Sequence, residues 1–96
     1  MKVQDFNGLQ NFLRDKTVFA QYGLNRIGVF GSFARGENNR DIDLLIEGET
    51  DFRKMIQLKK YLEEQLETKI DIVMEKYADP IILFRARKEM KYATRH

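Results

Sequence analysis

Three aspartates carry the strongest chemical signal in this sequence. Asp41 and Asp43 stand two residues apart in the apolar run DIDLLIE, and Asp71 stands in a second apolar run, KIDIVM. Alternate residues of a strand share one face, so Asp41 and Asp43 should project together from a strand that would otherwise disfavour aspartate. Like charges this close repel unless a cation lies between them, and Mg²⁺ takes such carboxylates alongside phosphates and water. We therefore expect a metal site for two magnesium ions at Asp41, Asp43 and Asp71.

An alternative explains the same aspartates without chemistry. Sheets with one polar face are common, and the D-x-D spacing alone is more often a solvent-facing side of such a sheet. Asp71 favours the metal site only if its strand lies beside the strand of Asp43. A second motif is needed to decide between the two interpretations.

That second motif is Gly31-Ser32, which directly follows the apolar run RIGVF. A Gly-Ser pair between a strand and a short helix can present backbone N–H groups and the Ser32 hydroxyl to a phosphate. An ordinary capped turn is the alternative at this step. Gly31 to Gly36 has the glycine spacing of a P-loop, but Glu37 stands where the lysine is required, so that motif is excluded.

Two arginines lie close to this turn in the sequence. Arg35 and Arg40 could hold phosphate oxygens through bidentate hydrogen bonds, although a surface or structural role is commoner for each. His96 is the only histidine and ends the sequence, so we expect no catalytic role for it.

Helix and strand signals alternate along the chain and predict where these residues sit. Apolar residues at helical spacing predict helices, and short apolar runs with β-branched members predict strands. Asp79-Pro80 is typical of an N-cap followed by the first helical residue. A break at 15–17, with Thr17 as N-cap, divides the first helix. The predicted elements are helices over 5–22, 51–68 and from residue 80, a helical turn over 31–36, strands over 26–30, 41–47 and 69–74, and an edge strand or frayed end over 89–94.

The connections between these elements predict the fold class. The first two strands are too closely joined for a crossover helix, so they should be antiparallel neighbours. The long helix over 51–68 suits a parallel crossover between the second strand and the third. The expected fold is α+β, a two-layer α/β sandwich with a small mixed sheet flanked by helices, in one domain over 1–96. The long helix should face the sheet with the stripe Phe52, Met55, Ile56, Leu58, Leu62 and Leu66.

Composition excludes several classes of protein. An apolar fraction of 43% with 33% charged residues is typical of a soluble globular domain. The sequence contains no apolar run long enough to cross a bilayer, no apolar signal core in MKVQDFNGLQ and no cysteine, so we expect a cytoplasmic protein without a membrane partner. A net charge of +2 does not indicate a nucleic-acid binder. The basic, partly apolar segment after Asp79 could meet a partner protein or a second copy of the chain.

The combination of strand, Gly-Ser turn, short helix and D-x-D strand resembles the nucleotidyltransferase superfamily typified by DNA polymerase beta. Within that superfamily the chain is similar to the minimal nucleotidyltransferases, and specifically to their antitoxin group. The similarity runs through GSFARGE and DIDLLIE, and KIDIV matches the third acid of the family. The loop from Phe33 to Arg40 is shorter than the usual spacer of the family. The resemblance implies a fold like the palm of polymerase beta.

The resemblance also implies a role for each matching residue. Asp41 and Asp43 would coordinate Mg²⁺, and Asp71 would assist them or deprotonate the acceptor hydroxyl. Gly31 and Ser32 would hold a nucleoside triphosphate. The implied reaction is the transfer of a nucleotidyl group, AMP from ATP, to a hydroxyl, with release of pyrophosphate.

The same resemblance implies a partner. Minimal nucleotidyltransferases often accompany a helical HEPN-domain protein, and several act as antitoxins by adenylylating a tyrosine of that protein. The competing hypothesis is a binding module that keeps the fold and neutralises its partner by complex formation alone. A modifier of nucleic-acid ends is disfavoured because the sequence offers no large basic surface. The acceptor, the nucleotide preference and the oligomeric state, including a homodimer, stay open.

Overall fold

A computed structural model describes residues 2–37 and 40–96 of the chain. Residues 38 and 39, inside the shortened loop before the D-x-D strand, lie outside the described residues. The final edge strand is confirmed but begins at Lys91, because Glu89 still caps the preceding helix. A 3-10 turn over Glu75–Tyr77 precedes that helix. In chain order the elements are α1 Phe6–Asp15, α2 Val18–Gln21, β1 Arg26–Phe30, α3 Gly31–Ala34, β2 Asp41–Ile46, α4 Phe52–Leu66, β3 Lys69–Met74, α5 Pro80–Lys88 and β4 Lys91–Thr94.

The four strands form one mixed sheet in the order β3-β2-β1-β4. β1 is antiparallel to both β2 and β4, whereas β2 and β3 are parallel. Helix α4 makes the crossover that parallel neighbours require. The expected small mixed sheet with flanking helices is therefore confirmed. No helix in the described part of the chain is long and apolar enough to cross a membrane.

One face of the sheet supports the main hydrophobic core. Along β2 the side chains of Ile42, Leu44 and Ile46 are fully buried on this face, as the alternation of a strand requires. Helices α1, α2 and α4 and the short α3 pack against them. The buried side chains contributed by these helices are Leu9, Phe12, Leu13, Val18, Phe19, Phe33, Ala34, Met55, Leu58, Leu62 and Leu66.

Helix starts follow the sequence signals in one case and depart from them in another. The Asp79 carboxylate accepts a hydrogen bond from the Ile81 N–H at 2.7 Å, and Pro80 opens α5, as predicted. Thr17 does separate α1 from α2, but it is not a side-chain cap. Its φ of 53° is left-handed, and its hydroxyl donates to the Lys16 carbonyl instead.

The predicted apolar stripe of α4 is wrong at two positions. Met55, Leu58, Leu62 and Leu66 are buried, but the Phe52 and Ile56 side chains are 59% and 54% exposed. At about 100° per residue, Ile56 points well away from the centre of the buried stripe, and Phe52 lies on its flank in the first turn. A helix that packs on one side of a sheet buries a narrower stripe than its apolar residues suggest.

The opposite face of the sheet carries the aspartates and is covered only in part. Leu45, which shares the face of Asp43, is fully buried outside the main core, and so is Ala86 of α5. The Met90 sulfur occupies the place where a side chain of Gly28 would stand, and Gly28 lies opposite Leu45 in the sheet. Helix α5 and the residues after it therefore pack on the aspartate face.

The first prediction tests which α4 side chains stabilise the domain. Leu62→Ala should lower the free energy of unfolding by about 2–4 kcal/mol because it leaves a cavity in a fully buried position. Ile56→Ala on the same helix should change it by less than about 0.5 kcal/mol, because that side chain is mostly exposed. Urea unfolding of both variants measures the difference. Equal losses would contradict the orientation of α4.

Candidate active site

The pairing of β2 with β3 brings two of the three predicted acids together. In the parallel register Asp43 lies directly opposite Asp71, and both side chains leave the same face. Asp41, two residues earlier, shares that face and lies opposite Lys69. The topology on which the convergence of the acids depended is thus present.

The Gly31 turn lies against the central acid. Phe30 at the end of β1 pairs with Asp43, so the chain turns into α3 immediately beside that carboxylate. Gly31 has a left-handed φ of 76°, and a Cβ built on it would overlap the Asp43 Oδ2 and stand 3.3 Å from the Cγ. Only glycine fits here without strain, both for its backbone conformation and for the close approach of the carboxylate.

The surroundings of Asp43 disfavour the ionised form of its carboxyl group. Burial raises the pKa of the Asp43 carboxyl above its ordinary value, and the neighbouring charges of Asp71 and Asp41 raise it further. Lys69 and Arg35 act in the opposite direction and lower that pKa in part. A group of carboxylates that carries this strain is suited to receive a cation.

The donor set fits magnesium in type, although it does not form a closed cage. Among the residues that the structure describes, no three carboxylate or imidazole side chains surround one point closely enough to hold a metal by themselves. Mg²⁺ usually keeps several waters and binds through one or two carboxylates together with substrate phosphates. Paired oxygen ligands on one open face, with Asp43 opposite Asp71, are compatible with that mode.

The arginine predicted to hold phosphate is occupied by two carboxylates. The Arg35 Nε lies 2.6 Å from Glu37 Oε2, and its Nη1 lies 2.6 Å from Glu89 Oε2. These hydrogen bonds raise the pKa of Arg35 and lower that of Glu37. Arg35 is close enough to Asp43 to lower the pKa of that carboxyl in part. To bind a phosphate, however, Arg35 would have to release Glu37 or Glu89.

The other two predicted nucleotide contacts are Ser32, which directly follows Gly31, and Arg40, which directly precedes Asp41. Ser32 is half-buried in α3, and its carbonyl accepts a hydrogen bond from the Glu37 N–H at 2.9 Å. Arg40 is exposed and directly precedes β2. Their roles in binding a triphosphate stay predictions.

Sequence reasoning missed two residues around this cluster. Lys69 stands two residues before Asp71 and shares its face, a placement that strand alternation alone could have revealed. Glu89 reaches Arg35 from 54 residues further along the chain, and no local pattern signals such a contact.

The fold and the cluster together define a class of protein. A mixed sheet with acids on adjacent parallel strands, beside a glycine turn that follows β1, is a nucleotidyltransferase domain. Residues 14–92 match the family described as Polymerase beta, Nucleotidyltransferase. The chain belongs to this family.

Two relatives of this chain are described as protein adenylyltransferases. The chain is 39% identical over 64 residues to the protein adenylyltransferase MntA of Thermococcus cleftensis, covering 62% of this chain and 65% of the relative. It is 40% identical over 78 residues to a candidate protein adenylyltransferase of Methanocaldococcus jannaschii, covering 75% of this chain and 91% of the relative. The chain thus spans about two thirds of the Thermococcus protein and most of the Methanocaldococcus protein.

Solved structures agree on the fold. One described as a minimal nucleotidyltransferase superposes with a TM-score of 0.67 at 29% identity, over 85% of this chain and 93% of that one. A toxin–antitoxin structure with AMP-PNP gives a TM-score of 0.71 at 21% identity, over 88% and 71% of the two chains. The AMPylated HEPN toxin of Shewanella oneidensis in complex with its MNT antitoxin gives 0.64 at 20% identity, over 88% and 71%.

The second prediction isolates the contact between Gly31 and Asp43. Gly36→Ala should cost about 1–2 kcal/mol of unfolding free energy, because Gly36 has the same φ of 76° but nothing within 4 Å of its added Cβ. Gly31→Ala should cost about 1 kcal/mol more, because the new methyl group also displaces Asp43. In an Asp43→Ala background that excess should vanish, as a double-mutant cycle by urea unfolding would show. An excess that persists there would rule out the contact as its cause.

The third prediction concerns the charge of Asp43. Because its pKa is raised in the folded state, the ionised form opposes folding above that pKa, and the penalty is lost as the pH falls and the group protonates. Asp43→Asn should therefore raise the Tm of the metal-free protein at pH 7 by about 2–5 °C and change it less at pH 4. Glu64→Gln, which removes an exposed charge from α4, is the matched control. A lower Tm for Asp43→Asn at pH 7 would mean that this charge stabilises the fold.

Proposed function

We propose that this protein transfers AMP from ATP to a hydroxyl group of a HEPN-type partner protein, and that it acts as the antitoxin of that partner. The proposal rests on one observation above all: Asp43 lies against the Gly31 turn and directly opposite Asp71. The relatives support the choice of reaction and partner, because the Thermococcus protein is a protein adenylyltransferase and the Shewanella complex contains an AMPylated HEPN toxin.

Asp41, Asp43 and Asp71 are the residues that would hold magnesium. When bound, two Mg²⁺ ions would neutralise the triphosphate and stabilise charge on the attacking and leaving oxygens. The raised pKa of Asp43 supports this assignment, because a cation removes the repulsion that the carboxylates otherwise impose on one another.

The transfer itself needs few protein groups beyond positioning. The acceptor oxygen attacks the α-phosphorus of ATP, the bond from that phosphorus to the bridging oxygen breaks, and pyrophosphate leaves. Asp71, on the edge strand β3, would accept the proton of the acceptor hydroxyl. Gly31 and Ser32, at the end of β1, would position the triphosphate beside the acids.

Arg35 and Arg40 are the two candidate ligands of the phosphate oxygens. Arg35 would exchange its ion pairs with Glu37 and Glu89 for phosphate oxygens, which carry more negative charge. Arg40, at the entrance to β2, could add a second contact. Of the two, Arg35 has the stronger support as a phosphate ligand, because its positive charge already lowers the pKa of Asp43 in part.

One observation favours the competing function, a binding module without catalysis. Arg35, the better placed of the two predicted phosphate ligands, is committed to the carboxylates of Glu37 and Glu89. A chain that bound its partner tightly and transferred nothing would also neutralise a toxin. The two functions differ in whether AMP becomes covalently attached to the partner.

The fourth prediction separates these functions. With Mg²⁺, ATP labelled on its α-phosphate and a purified HEPN-domain protein as acceptor, the native chain should label that protein. The double variant Asp41→Asn/Asp43→Asn should lose at least about 100-fold in the rate of labelling. Asp15→Asn, which removes an exposed carboxylate at the end of α1, should keep the native rate.

The outcomes of that experiment are distinct. A tight native complex that is never labelled would support the binding module. Labelling that survives in the double variant would show that the acids of β2 do not carry the reaction. Labelling that persists in excess EDTA would exclude the role given to magnesium.

A further inference from the structure

The outward face of α5 is unusually apolar for a surface helix. Ile81 and Phe84 are each 63% exposed, although they are large hydrophobic side chains. Their spacing of three residues places them on one side of the helix, and Lys88 continues the same side one turn later. Exposed apolar side chains that form a row, rather than standing singly, are typical of a docking surface.

Helix α5 has little to hold it in place from inside the chain. It is nine residues long, and Ala86 is its one buried residue. A helix of this length is marginal in water without packing of an apolar face. Ion pairs at its C-terminal end add to this small contact: Arg87 with Glu47 and Glu75, and Glu89 with Arg35. Exposed pairs of this kind each contribute little to stability. Burial of the outward face by another molecule would supply the packing that α5 lacks.

The charges on this face indicate what kind of molecule that is. Arg85 and Lys88 are exposed beside Ile81 and Phe84, and the Lys88 Nζ lies 4.6 Å from the centre of the Phe84 ring. Within the described residues neither cation forms an ion pair, whereas Arg87 on the inner flank of α5 has two. A complementary surface would therefore be apolar at its centre and acidic at its edges.

We propose that the outward face of α5, formed by Ile81, Phe84, Arg85 and Lys88, is the docking surface for an acidic, amphipathic helix of the partner protein. The partner is the HEPN-type protein of the proposed function, so this inference rests on that function. An amphipathic helix is the element that places apolar anchors in one row with carboxylates on both flanks.

A second copy of this chain does not meet the same requirement. A symmetric dimer through this face would bring Arg85 and Lys88 of one copy against the same basic face of the other. Like charges at the centre of an interface disfavour association. The chemistry of α5 therefore selects a partner of opposite charge.

The location of α5 also suits a partner that is modified. The helix packs on the aspartate face of the sheet, and its cap residue Glu89 contacts Arg35 beside the Gly31 turn. A protein docked on α5 would lie on the same side of the sheet as Asp43 and Asp71. An acceptor hydroxyl on that protein could then reach the site while the docking contacts stay in place.

The test measures binding and transfer separately. The dissociation constant for the HEPN-domain protein used in the labelling experiment is measured by calorimetry for the native chain and for two double variants, Ile81→Asn/Phe84→Asn and Arg85→Glu/Lys88→Glu. Each variant should weaken binding at least tenfold. The charge-reversed variant should also invert the salt dependence of the association rate, measured by stopped-flow mixing, because salt screens a repulsion instead of an attraction. The affinity of the free chain for an ATP analogue should stay within twofold of the native value.

Helix α4 offers matched controls. Phe52→Asn/Ile56→Asn removes a second pair of exposed apolar side chains, and Arg53→Glu/Lys60→Glu reverses the same number of charges on an exposed face. Both should bind the partner within twofold of the native chain, and thermal melts verify that all four variants fold. Native-like binding by the α5 variants, with loss in the α4 variants, would overturn the proposal and move the surface to α4.

Two further outcomes count against the proposal in different ways. If the isolated chain dimerises and only the α5 variants are monomeric, the face belongs to a homodimer. If the native chain neither binds nor labels the partner, the proposed function fails and this inference fails with it. Labelling by a native chain whose α5 variants bind equally well would leave the function standing and overturn only the role of α5.

Discussion

The parallel pairing of β2 with β3 is the constraint on which the site depends. It sets Asp43 opposite Asp71, and a shift of one residue would turn one of the two carboxylates to the helix side of the sheet. The register is held from the other face, where Ile42, Leu44 and Ile70 are fully buried beneath α4. The helix core thus determines the placement of charges that it does not touch.

This arrangement places two opposing demands on the same strand. The helix-facing residues of β2 contribute burial that stabilises the domain, while Asp43 on the other face is ionised at a cost that burial and its neighbours impose. Lys69 and Arg35 offset part of that cost. Removal of the repulsion between the carboxylates by a bound cation is the physical basis of the magnesium site proposed above.

Local signals predicted more of this molecule than long-range ones. Asp79-Pro80 fixed a helix start, and the D-x-D alternation placed two acids on one face, because capping and strand periodicity act over two or three residues. The exposure of Ile56 depends on how far the sheet extends beneath α4, and the pairing of Arg35 with Glu89 joins residues 54 positions apart. Neither follows from a pattern within one element. The convergence of Asp43 with Asp71 was predictable only after a parallel crossover had been assumed.

The two faces of the sheet also differ in how complete they are. The helix face is closed by α1, α2 and α4. Within residues 2–37 and 40–96 the aspartate face is covered by α5 and the residues after it, and Ile81 and Phe84 of α5 are turned outward. A domain that left this face open merely for lack of chain length would be expected to cover it with polar residues. Ile81 and Phe84 stand there instead, next to Arg85 and Lys88, which form no ion pair with any residue that the structure describes. The outward face of α5 and the three aspartates belong to the same side of the sheet, so a partner docked on α5 would complete the side of the molecule that carries Asp43 and Asp71.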